Sequence, residues 1–258
     1  MAKQLLIYQS AVPVTTARHA EVCVRATADY AFSAGINAVP LMAVEFLRAA
    51  GEYAIVFTQA GEEVLPAAVL GIKGDQNLYL SQEGRWQARY IPAFIRRYPF
   101  VFSSSEDGKR LSLCIDESHP GVNREGQGER LFSSDGRPTA YVERVLKFLQ
   151  EYEAHFQRTR LFCRRISEMG LLEPMQAQVS TPRGEKLSLG GFLSIKRDTL
   201  RNLSGETLAR LAANDELELL YLQLYSMRNF EDVKDRLMGS LREELPDAAM
   251  VSATTAVQ

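Results

Sequence analysis

The chain has 258 residues, enough to bury a real core as one large domain or two small ones. Hydrophobic residues at 46% and charged residues at 24% are those of an ordinary soluble globular protein. A net charge of -2, with acids and bases interspersed, excludes strong whole-chain attraction to nucleic acid or to an anionic membrane.

The N-terminal stretch MAKQLLIYQSAVPV holds an apolar run too brief for a signal peptide. No stretch reaches the roughly 18 apolar residues of a membrane span. These features lead to the expectation of a cytoplasmic protein. Cys23, Cys114 and Cys163 are widely spaced and form no CxxC, so they are read as reduced, buried thiols rather than a disulfide framework or a zinc site.

A short helix is expected after Pro40, with Leu41, Val44, Phe46 and Leu47 on one side and Gly51 as its stop. Residues 53–58 (YAIVFT) and 64–72 read as a hairpin around QAGEE, and Pro66 favours an edge position. Residues 77–80 are expected as a short third strand, closed by Gln82-Glu83-Gly84. Residues 90–98 read as a short helix with Pro92 in its first turn. Residues 100–103 and 111–115 form a second hairpin around SEDGK, and Leu111, Leu113 and Ile115 alternate with Ser112 and Cys114 as a half-buried strand requires.

Residues 116–138 are a glycine- and proline-containing loop, long enough to expect a functional or mobile role. Val142, Val145, Leu149, Tyr152 and Phe156 then repeat at helical spacing in a long helix or helix pair that stops near Gly170. MQAQVS and EKLSLGGFLSI read as two strands joined by residues 181–184, and the paired glycines predict a bulge or a close backbone approach. Ser204 opens a C-terminal helix and Asn214 closes it. Leu217, Leu220, Leu224 and Met227 line the next, and an apolar face there could pair two copies of the chain. The predicted class is α+β: a mostly antiparallel sheet built from hairpins, a long central helical segment and a helical C-terminal region. Residues 1–240 are expected as one domain, and 241–258 as a disordered tail.

Two groups of residues carry candidate chemistry. Residues 77–100 concentrate the only tryptophan with four arginines. Within them Trp86, Tyr90, Arg96, Arg97 and Tyr98 combine flat amphipathic rings with planar guanidinium forks, suited to a peptide terminus, an anionic sugar or an acidic surface. The alternative is a core tryptophan with an arginine paired to Asp116 or Glu117. The second group is Asp116, Glu117 and His119 in the long loop, with Asn123 and Glu125 nearby. Carboxylates beside an imidazole can bind a metal or exchange protons, but the pattern matches neither an EF-hand nor HExxH, and a solvated turn fits it equally. No GxSxG, phosphate loop or dinucleotide fingerprint occurs.

Several stretches resemble the SapC family, bacterial proteins named for an S-layer secretion locus: residues 39–46, 55–57, 77–78, Trp86, 90–93 (YIPA), 96–100 (RRYPF), 115–117, 131–132, 135–136, 191–192 and 224–226. The resemblance implies an accessory protein of surface-layer export or nutrient uptake, with no catalytic residues and no cofactor. It implies a protein or peptide partner, among them export machinery, outer-membrane receptor systems or flavin-dependent halogenase-like proteins, and no nucleic acid. It also implies a histidine in the C-terminal helix where this chain has Gln223. The leading expectation is a non-enzymatic adaptor that binds a peptide, sugar or protein through the aromatic–arginine surface. The competing one is an enzyme acting on a peptide or sugar-derived substrate through Asp116, Glu117 and His119.

Overall fold

The computed structural model of the chain describes residues 6–61, 63–105, 110–180 and 186–243. The N-terminal part contains β1 (Ala11–Pro13), α1 (Thr16–His19), β2 (Cys23–Val24), β3 (Ala38–Pro40), α2 (Phe46–Ala49), β4 (Ile55–Ala60) and β5 (Glu63–Val69). The middle adds α3 (Ala93–Arg96), β6 (Phe100–Ser104), β7 (Leu111–Asp116), β8 (Val122–Asn123), β9 (Glu129–Arg130) and α4 (Ala140–Glu168). The C-terminal part adds β10 (Leu172–Ser180), β11 (Lys186–Ile195), α5 (Arg197–Arg201), α6 (Gly205–Ala213), α7 (Glu216–Ser226) and α8 (Phe230–Glu243).

The strands form three sheets, ordered β10-β11-β4-β5-β3, β1-β7-β6 and β8-β2-β9. Every pairing among the described residues is antiparallel. The class is therefore α+β, and both expected hairpins are present as β4–β5 and β6–β7. The glycine pair does make a bulge. Met175 faces Phe192 and Ala177 faces Leu189, so Gly190 and Gly191 oppose the single residue Gln176. Gly191 takes φ +75°, which a side chain would resist.

Helix α4 organises the core. Its N-terminal turn is capped by the Thr139 hydroxyl, which accepts from the Val142 amide. Val142 and Leu149 bury against Val22, Val24, Phe100, Ile115 and Leu131, while Phe162 and Ile166 bury against Phe46, Ile55 and Phe57. Tyr152, midway, packs on Met42 and Ala93. One helix thus spans three apolar clusters, and each fully buried Phe, Leu or Ile on it contributes about 1.5–3 kcal/mol. Ser204 and Asn214 cap α6 as its sequence requires.

Some expectations need correction. Val44 and Leu47 are 58% and 68% exposed. Residues 43–45 form a 3-10 turn rather than the start of an α-helix, which moves the inward face to Leu41, Glu45, Phe46 and Ala49. Residues 77–80 are not a strand. The Asn77 side chain accepts from Tyr79 N and donates to Ser33 O, capturing the backbone in a turn. Pro66 lies on an interior strand, but β3 pairs only residues 67–69 of β5, so the proline sits where that neighbour has ended.

The 116–138 loop holds two short strands that clasp β2 from both sides. Leu220 is buried and Leu217 and Leu224 pack on the core, so this face of α7 is turned inward; Tyr221 and Tyr225 are the exposed rings. Helix α8 runs on through Glu243, past the start of the expected tail. The remainder of that tail, residue 62 of the first turn and the turns at 106–109 and 181–184 lie outside the described residues. Among the described residues no helix is long and apolar enough to cross a membrane.

Candidate functional site

The aromatic–arginine residues divide into two roles. Trp86 is half-buried: its indole nitrogen donates to the Tyr53 hydroxyl at 2.8 Å, and its ring meets Tyr30 edge-on at 5.8 Å. The Tyr90 hydroxyl donates to Glu45 Oε1 at 2.6 Å. Burial, followed by the Glu45 carboxylate, raises this phenol well above its ordinary value. Arg97 is buried with its guanidinium over the rings of Phe94, at 4.4 Å, and Tyr152, at 4.8 Å. These three side chains tie the segment to the core. Arg96 is exposed, held by a 2.9 Å bond from Nε to the Ile91 carbonyl and by the face of Phe148 at 5.3 Å. Tyr98 is half-buried between Phe32 and His119, with ring centroids 4.2 Å and 5.2 Å away.

Glu45 was not singled out in the sequence, yet it organises this region. It is buried and accepts from Met42 N, Tyr90 Oη and Ala93 N within 2.6–2.7 Å. One carboxylate thereby fixes the turn before α2 and the start of α3. Its only sequence signal is an acid three residues into a turn, the arrangement of a capping box.

The loop residues separate. Asp116 is fully buried and accepts from Gln9 N, Ser10 N, Ser118 N and Ser118 Oγ, with Tyr98 Oη at 3.5 Å. Burial alone would raise this carboxyl, but the hydrogen bonds outweigh it and hold the group below its ordinary value. Glu117 accepts from two nitrogens of Arg18, which depresses its carboxyl. It also lies 3.3 Å from His19 Nε2. Together with Arg18, Asn123, Arg124 and Glu125 it lines an open groove of about 660 Å³.

His119 faces elsewhere. Its Nδ1 accepts from Gly121 N at 3.0 Å, so the neutral ring carries its proton on Nε2. Burial lowers its ionisation, with Asp116 and Asp29 opposing that effect. His119 lines a cleft of about 180 Å³ together with Arg96 and Tyr98. The cleft therefore joins members of both candidate groups that lie more than 20 residues apart in sequence (Tyr98 and His119 are the nearest pair).

The same cleft is lined by a segment that sequence reasoning passed over. Arg25, Asp29, Tyr30 and Phe32 line it, and Tyr141 from α4 closes one side. Residues 25–32 show no periodicity that would have flagged them. They are set in place by β2 between β8 and β9 and by a bond from Tyr30 N to Gly84 O at 2.7 Å. Burial pushes the Tyr141 phenol up to about 12. Arg25 and Arg96 form no salt bridge among the described residues. The cleft therefore combines aromatic faces, two cationic forks, one carboxylate and one imidazole donor, which suits recognition by stacking and charge. Among the described residues no group of three or more His, Cys, Asp or Glu is placed to hold a metal ion.

Gln223 is buried too, but in a purely internal role. It donates to Ile55 O and Ser194 Oγ and accepts from Ile195 N, linking α7 to β4 and β11.

A family model described as SapC matches residues 14–233 of the chain. No curated protein and no solved structure matches it.

Proposed function

From membership of the SapC family, to which this chain belongs, we propose that it is a non-enzymatic accessory protein of a bacterial surface-export or nutrient-uptake system. It works by capturing a peptide, sugar or protein partner in the cytoplasm. The capture surface is the aromatic–arginine cleft rather than the whole 77–100 segment. The observation that carries this reading is the meeting of Arg96, Tyr98 and His119 with Tyr30 and Phe32 around one cleft. Rings held by their neighbours lose little freedom on binding, and an arginine without a carboxylate partner keeps its donors for a ligand.

The enzymatic alternative has less support. Acid–base work needs the catalytic groups within reach of one reacting atom. Asp116 has its acceptors filled from the backbone and Ser118, Glu117 is engaged by Arg18 in the groove, and His119 lines the separate cleft.

Affinity capture from the source organism's lysate tests the proposal, with Arg96→Ala compared against the wild type. Arg96 is exposed, so the variant should unfold at the same denaturant concentration. A partner captured by the wild type and lost with Arg96→Ala is the expected result. A partner retained by both overturns the placement of the surface.

A further inference from the structure

Resting on the cleft as the binding surface, we infer that its ligand is a free carboxylate attached to an aromatic side chain, as at the C-terminal end of a peptide. The acid recognition comes from Arg25 and Arg96, which both line the cleft. Both are exposed, both line the cleft, and neither is salt-bridged among the described residues. Arg25 reaches the Gln127 side-chain oxygen at 3.3 Å; Arg96 uses Nε on the Ile91 carbonyl, bonds the Tyr90 hydroxyl and lies over the Tyr90 and Phe148 rings, so that each guanidinium, with five N–H donors, keeps some for a ligand. A guanidinium fork matches a carboxylate in two parallel hydrogen bonds, the pairing that most favours a terminal acid over a neutral amide.

His119 adds a neutral donor to the same lining. Its Nδ1 is occupied by the Gly121 amide, leaving Nε2–H as the free polar atom of a ring that lines the cleft. The aromatic recognition comes from the neighbouring rings of the lining. Tyr30, Phe32 and Tyr98 form a continuous series, with centroids 6.1 Å and 4.2 Å apart, and Trp86 backs Tyr30. A ring laid against them meets partners already fixed by packing. Asp29 is the one carboxylate of the lining, and its Oδ1 accepts from the Ala31 amide. Its negative charge disfavours a ligand with more than one acidic group, and the two arginines outnumber it.

The test uses four probes on the full chain: N-acetyl-phenylalanine, an acetylated tetrapeptide ending in phenylalanine, and the C-terminal amide of each. Trp86 emission and calorimetry report binding, since Trp86 touches a cleft ring. The acids should bind at least tenfold more tightly than the amides, as loss of a charge-assisted pair of hydrogen bonds implies. Arg96→Gln and Arg25→Gln should each remove that preference while leaving the unfolding midpoint in place. A tetrapeptide acid that binds more tightly than the single residue supports a chain end as the source. Equal affinity supports a small free acid, and both uphold the carboxylate. Acids and amides that bind alike overturn the inference while leaving the cleft as a binding surface. If none of the four binds, the inference also fails, and Arg96-dependent capture of a partner decides the broader reading on its own.

Discussion

The indole nitrogen of Trp86 donates to the hydroxyl oxygen of Tyr53 across 2.8 Å, and that hydroxyl donates onward to the carbonyl oxygen of Tyr90. Tyr53 is fully buried, and burial raises its phenol well above the ordinary range. The relay fastens the cleft's backing ring to the stretch that leads into α3. Tyr53→Phe keeps the ring and removes both bonds, leaving a donor and an acceptor unsatisfied. The expected loss is about 1–3 kcal/mol. Denaturant unfolding followed by Trp86 emission measures it, and an unchanged midpoint would show that the relay does not stabilise the fold.

Gly84 sits at φ +74°, and a β-carbon there would lie 2.3 Å from Asp29 Oδ1. Its carbonyl also receives Tyr30 N. Gly84→Ala should therefore act twice: about 1–2 kcal/mol of backbone strain, and displacement of the Asp29–Tyr30 wall. A matched loss of stability and of ligand capture is expected. Capture that survives while stability falls would show that the wall does not depend on this turn.

Two buried groups predict the acid limb of stability; Glu117 is depressed as well, but solvent screens its pairing with the exposed Arg18. The folded His119 has a depressed pKa, so its contribution is complete above the unfolded value of about 6.5 and is lost as pH falls below it. The folded Asp116 is depressed as well, so its contribution is complete above about 3.9 and is lost through its lower folded value. Stability should fall in two stages on acidification. His119→Gln should flatten the upper stage and Asp116→Asn the lower. Urea midpoints at intervals from pH 8 to pH 3 resolve them; an unaltered upper stage in His119→Gln would remove that residue from the account.

Gln223 saturates three polar groups of the sheet with one buried side chain. Gln223→Leu should cost about 2–4 kcal/mol, since the volume is kept but Ile55 O, Ser194 Oγ and Ile195 N lose a partner. Gln223→His can restore one donor and one acceptor. Melting temperatures should rank wild type above histidine above leucine. Equal values for the two variants would show that the hydrogen bonds are not the reason for glutamine here.

The hairpins, the long helix, the caps of α6 and the glycine bulge were legible because each rests on local chemistry: alternation, 3.6-residue spacing, a hydroxyl before a helix, paired glycines in a strand. Val44 and Leu47 misled because a 3-10 turn shifts the phase of a face, and nothing in their composition records that shift. Residues 77–80 misled because Asn77 diverts the backbone from pairing. The aromatic–arginine residues were visible as a cluster, but their division into core ties (Trp86, Tyr90, Arg97) and cleft residues (Arg96, Tyr98) depends on contacts with Glu45, Tyr53 and Phe94. Arg25, Asp29, Tyr30 and Phe32 were silent in sequence. The pairing of β2 with two strands of a distant loop and the bond from Tyr30 N to Gly84 O bring them into the cleft that His119 lines.

That pairing joins Cys23 to Asn123 across 100 residues of chain. A contact of such separation carries a large closure entropy and forms after the nearer ones. The β4–β5 and β6–β7 hairpins can assemble while Arg25 and Tyr30 still hang free. During synthesis the proposed recognition surface cannot be complete until Tyr141 has left the ribosome, although β1 to β9 precede it. The protein should thus pass through a state with its first hairpins formed and no capacity to bind, competence for the proposed ligand arriving with α4.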